Sequence, residues 1–125
     1  MAKTTIALTP AGAAAAAGLE RFKLPEMIDV ARLGLAYAIQ CGLDLDRPDD
    51  FGTPGGAGYY TASTGTLDQD RRIEQLVIAL HPEAAADPYQ AVETLINKGL
   101  IALRDAVDVG DVATVTDLLE SDPIA

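Results

Sequence analysis

Residues 3–40, KTTIALTPAGAAAAAGLERFKLPEMIDVARLGLAYAIQ, decide the architecture. Between Lys3 and Thr9 the side chains alternate, Thr4, Ile6 and Leu8 against Lys3, Thr5 and Ala7, and this period of two with β-branched content predicts a short strand. The strand stops at Thr9-Pro10, where Thr9 supplies an N-cap oxygen and Pro10 takes a first helical position whose N–H has no helical partner anyway. A helix is expected from there to about Lys23. Its alanine run Ala13 to Ala17 favours helix and lets a neighbour approach closely, while Gly12 and Gly18 each cost about 0.5–1 kcal/mol relative to alanine. Leu24-Pro25 breaks this helix and starts a second, with Glu26 and Asp29 near its positive N-terminus and an end at Cys41 before the capping Gly42.

Two features of this segment point to self-association. The helix 25–41 carries Met27, Ile28, Val30, Ala31, Leu33, Leu35, Ala38 and Ile39 around nearly its whole circumference, the pattern of a central or interfacial helix. A lone strand cannot satisfy its own backbone groups, and no second strong strand is obvious nearby. Pairing with the same strand of another subunit answers both demands, so a homo-oligomer is expected; a disordered tail is the rival reading of residues 4–8.

Beyond Gly42 the chain reads as a loop followed by helices. Asp44, Asp46, Pro48, Asp49, Asp50, Pro54 and the run Gly52 to Gly58 predict a long loop over 43–66, with at most a short extended piece at Tyr59 to Ala62. Thr66 and Gln69 have capping-box spacing for a helix from Leu67 to about Leu80, with Ile73, Leu76, Val77 and Leu80 on one face, ended by His81-Pro82. Asp87-Pro88 opens another helix through Tyr89, Val92, Leu95 and Ile96; Gly99 either caps it or is tolerated within it. Asp111 to Leu119 completes a helical part spanning 67–120. The fold class is mainly α, a short N-terminal strand followed by a multi-helix domain, in one domain of 1–125 with strand-helix-helix in 1–42.

Composition excludes several classes. The 49% hydrophobic and 22% charged content is globular, a single Cys forms no internal bridge and fits a reducing, cytoplasmic setting, and no run approaches the 18 or so apolar residues of a membrane span. The alanine-rich start, with Pro10 and Gly12, is too weakly apolar for a good secretory signal core. Net charge is −10, unevenly placed: residues 1–40 balance at +1, and from Cys41 onward five basic residues face sixteen acidic ones. The acidic part reads as a solvated surface, or as a body turned away from a neutral or mildly basic binding face.

Catalytic constellations are missing from the sequence. The single His81 and single Cys41 have no motif context, too few His and Cys are present for a zinc centre, and the acidic stretch from Asp44 departs from a calcium loop, holding Asp49 where the glycine belongs and Gly55 where the glutamate belongs. Gly52 to Gly58 lacks the ending of a P-loop, and Tyr59 and Tyr60 read as packing or lid residues ahead of base-stacking ones. No metal, cofactor or catalytic residue is assigned, and the chain is expected to act by binding.

The order TTIALT, a Pro-started helix, a Leu-Pro break and PEMIDVARLGLAYAI resembles ribbon-helix-helix proteins, in which strands from two subunits pair and enter the major groove. More narrowly, residues 6–40 resemble the DndE family, small accessory proteins of DNA phosphorothioation systems. The resemblance implies a non-enzymatic, DNA-associated or assembly component of a DNA modification or phage-defence system. By position it makes Lys3 and Thr5 outward ribbon residues, Arg21 and Lys23 phosphate neighbours, and Arg32 a helix-borne basic contact. The longer acidic C-terminal part has no counterpart in that family. Two alternatives stand beside it: Arg32 as an intramolecular partner of Asp29 or of an acid in the second half of the chain, and the whole chain as a protein–protein adaptor or structural subunit with an acidic partner-binding surface and no nucleic-acid contact.

Overall fold

A computed structural model describes residues 5–19, 26–46 and 61–108. The expected boundaries at Lys23 and Leu24-Pro25, most of the Gly/Asp-rich loop and the last helix at 111–119 lie outside them. The order is β1 (Thr5–Ala7), α1 (Pro10–Ala17), α2 (Met27–Gln40), β2 (Thr61–Ser63), α3 (Thr64–Leu67), α4 (Arg72–Leu80), a 3-10 turn (Pro82–Ala86) and α5 (Pro88–Asp108). The protein is mainly helical, as the sequence indicates, and α5 is its axis. Val92, Leu95, Ile96, Leu100 and Leu103 on α5 are fully buried, and one core runs from Ile6 through Leu35 and Val77 to Val107.

The local signals explain most of the elements. Thr9 Oγ1 accepts the Gly12 N–H at 3.0 Å, with Pro10 at the first helical position as expected. At the start of α2 the Asp29 carboxylate accepts the Glu26 N–H at 3.2 Å and closes the first turn. Its other end is a Schellman motif: Gly42, at φ +66°, donates to Ile39 O at 3.1 Å and Leu43 donates to Ala38 O at 3.0 Å. Asp87 and Pro88 open α5, which then continues unbroken through Gly99.

Gly99 is tolerated inside a helix because α2 and α5 cross there. A Cβ on Gly99 would fall on the carbonyl oxygen of Gly34, and one on Gly34 would lie 2.9 Å from Ile96 O and 2.7 Å from Leu100 Cγ. Alanines at 31 and 38 complete the close approach, both nearly inaccessible to solvent. So the α2 face with Ile28, Ala31, Gly34, Leu35 and Ala38 is buried, while Met27, Arg32 and Ala36 are exposed. The helix expected to be apolar all round uses one face for the core.

The strand expectation needs correction in its partner. β1 pairs antiparallel with β2 of the same chain, Thr5 opposite Ser63 and Ala7 opposite Thr61, so the extended piece near Tyr59 to Ala62 is the partner thought to be missing. The opposite edge of β1 is closed by side chains from α5. Ala7 N–H donates to Glu93 Oε2 at 2.9 Å, Thr9 N–H donates to Asn97 Oδ1 at 2.8 Å, and Asn97 Nδ2 donates to Ala7 O at 3.1 Å and Glu93 O at 2.8 Å. With both edges occupied at Ala7, an intersubunit ribbon has no backbone groups left to use there.

The helix expected over 67–80 is two elements. Ser63, rather than Thr66, caps α3, its Oγ accepting the Thr66 N–H at 3.1 Å. Asp68, 4% exposed, then leaves the helix and turns its carboxylate back onto the N-terminus of α4, accepting Ile73 N–H at 3.0 Å and Glu74 N–H at 2.9 Å. A buried carboxylate saturated by helix N–H groups outweighs the continuity that periodicity suggested.

Candidate functional site

Of the five basic or ribbon positions read from the sequence, Lys3, Arg21 and Lys23 lie outside the described residues. Thr5 sits exposed on β1 opposite Ser63. Arg32 projects from α2, but its guanidinium is engaged: Nη2 donates to Thr66 O at 3.2 Å and Leu67 O at 3.3 Å, and Nη1 lies 4.0 Å from Asp29 Oδ1. Those carbonyls end α3, so a cation meets the negative end of a helical turn, and the Asp29 partnership left open from the sequence is present. Thr5 and Arg32 are connected through the β2–α3 unit, whose cap, Ser63, faces Thr5.

The polar clusters fix elements in place. Tyr89 donates its hydroxyl to Asp68 Oδ2 at 3.1 Å; burial, followed by the Asp68 bond, pushes the phenol up to about 12. Such a tyrosine keeps its proton at neutral pH and serves as a donor. Arg71, held at φ +63°, pairs with Glu74 at 3.0 Å. The Lys98 ammonium pairs with the Asp44 carboxylate and also donates to the Asp44 backbone carbonyl at 2.8 Å, which ties the loop after α2 to α5. That ion pair holds Asp44 below the usual carboxylate range. His81 lies 3.5 Å from Glu83, and Cys41 is half-buried. Among the described residues no group of three or more metal-ligating side chains comes together, and no helix is long and apolar enough to cross a membrane.

What the sequence reading missed is an apolar groove of about 440 Å³ between α2 and α4, lined by Arg32, Leu35, Ala36, Ile39, Gln40, Ile73 and Leu76. It exists because the apolar arc of α4 is about 100° wide and docks off centre. Val77 is completely buried, whereas Leu76 is 44% and Leu80 48% exposed. The periodicity puts all of them, with Ile73, on one face and does not say which of them the core takes. The missed signal is the ratio of large apolar side chains to core-facing room on a helix of nine residues. A smaller hollow of about 280 Å³ lies between Leu45, Ala84, Ala91 and Thr94, with Glu83 and Asp87 at its rim.

Comparisons with protein-family models, with curated proteins and with solved structures find no match. The functional reading therefore rests on the residues and their geometry.

Proposed function

We propose that this protein is a non-enzymatic assembly component that works by joining macromolecules, with the α2–α4 face as the joint. The observation that carries the reading is the groove lined in part by half-exposed Leu76, with half-exposed Leu80 one turn further along α4, in a chain of net charge −10. Contiguous apolar surface of this kind on an otherwise polar protein marks an interaction site. The test isolates the tagged full chain from its own cells and compares the native assembly size of the wild type with that of Leu76→Asp. A smaller assembly with a retained fold supports the reading; an unchanged assembly overturns it.

A second reading, association with DNA in a modification or defence system, is favoured by the charge split between residues 1–40 and the rest, and by the resemblance of residues 6–40 to the DndE family. Phosphate contacts make affinity fall steeply with salt. Duplex binding at two salt concentrations, compared with a chain in which Lys3, Arg21 and Lys23 are neutral, tests it. Salt-sensitive binding lost in the variant supports this reading. Absence of binding at low salt removes it and leaves the adaptor role, in which the acidic half faces a basic protein.

A further inference from the structure

We infer that the occupant of the α2–α4 groove is a second copy of this chain, arranged about a two-fold axis so that Leu76 and Leu80 of each copy enter the groove of the other. The inference rests on the joining role proposed above and names the partner. A face that only receives a foreign helix needs a hollow; this one carries a hollow and projecting side chains together. Leu76 and Leu80, 44% and 48% exposed, stand one turn apart on α4, while exposed Ala36 on α2 leaves space in the facing wall. A two-fold axis uses both at once, because each copy then supplies the knob and the hole.

Charge selects the same occupant. Two copies of a chain at −10 repel each other wherever acidic surface meets acidic surface. The α2–α4 face avoids that repulsion. From Gln75 to Leu80 on α4, and from Leu33 to Gln40 on α2, no residue is Asp, Glu, Lys, Arg or His. The one charge lining the groove, Arg32, is already held by Asp29 and two carbonyls of α3. A basic partner gains nothing here that the acidic remainder of the surface does not offer more strongly, whereas a second copy meets an uncharged, apolar surface matching its own.

The experiment measures the mass of the purified full chain by sedimentation across a concentration series, for the wild type, Leu76→Glu, Leu80→Glu and Ala36→Arg. All three positions are exposed, so circular dichroism and melting are expected to stay close to wild type, and Ala36→Arg probes the facing wall should either leucine variant lose its fold. A reversible wild-type dimer is expected, with self-association weakened roughly 100-fold or more by a charge buried in the joint. In a Cys41→Ser background, mixing Ala36→Cys with Leu76→Cys chains under oxidation should give a 36–76 disulfide between copies. A wild-type monomer at every concentration overturns the inference, as does a dimer that all three variants leave intact. The joining role fails separately, when the assembly isolated from cells is insensitive to Leu76→Asp.

Discussion

The side-chain amide of Asn97 accepts the backbone N–H of Thr9 at 2.8 Å, across 88 residues of sequence. The same amide donates to Ala7 O and Glu93 O, so one wholly buried side chain closes the free edge of β1, supports the residue that caps α1, and fixes both to α5. Replacing it with leucine strands a buried N–H and a buried carbonyl. Asn97→Leu is expected to cost about 2–4 kcal/mol in urea denaturation. Gly12→Ala should fail for a related reason, since its Cβ would overlap Asn97 Oδ1.

Gly99→Ala separates helix propensity from packing by sign. Propensity alone gives about 1 kcal/mol of stabilisation for alanine in place of glycine inside a helix. Because the new Cβ would meet the Gly34 carbonyl, a net loss of about 1–3 kcal/mol is expected instead, read by thermal or chemical denaturation. A stabilised variant would show that α2 and α5 do not cross at this point.

Tyr89 sets an alkaline limit. Its phenol is raised in the folded state from 10.0 to about 12, so it contributes stability that is fully present below pH 10 and is lost as pH rises toward 12. Denaturation curves collected through that window should fall in the wild type and be flatter in Tyr89→Phe, and the tyrosinate absorbance appearing near pH 12 should be missing from the variant.

Asp44 gives the acid counterpart. Its carboxyl is held below the ordinary aspartate value of 3.8, first by the Lys98 hydrogen bond and then by the Asp46 N–H, so the stabilisation is present above that value and is lost as pH falls through the lower, folded one. Lys98→Met should move the Asp44 midpoint upward in a carboxyl-resolved NMR titration.

Arg32→Gln tests the tie between α2 and α3. Losing the guanidinium bonds to Thr66 O and Leu67 O should cost about 1 kcal/mol and increase hydrogen exchange in residues 64–67, with little change at α5. Loss of stability throughout the molecule without that local signature would argue against the tie.

Much of the local structure was legible because its causes are local. Thr9-Pro10, Gly42, His81-Pro82 and Asp87-Pro88 punctuate the chain through caps and fixed φ angles, which need no knowledge of the rest of the fold. The Thr66 capping box misled because two caps competed, and Asp68 does more by leaving the helix to bond Ile73, Glu74 and Tyr89. The groove was not legible at all, since the periodicity that marks Leu76 as apolar is the same for a side chain facing the core as for one turned from it.

By itself, the sequence determined that this protein is mainly helical, where several of its helices begin and end, and that its excess of negative charge lies after Cys41. Only the tertiary structure decided that β1 pairs within its own chain, that Asn97 and Glu93 occupy its other edge, that Gly99 lies inside a helix, and that Leu76 and Leu80 face outward. The physical reason is common to all four. Each depends on which groups from distant parts of the chain compete for the same buried space or the same hydrogen bond, and that competition is settled by packing around α5.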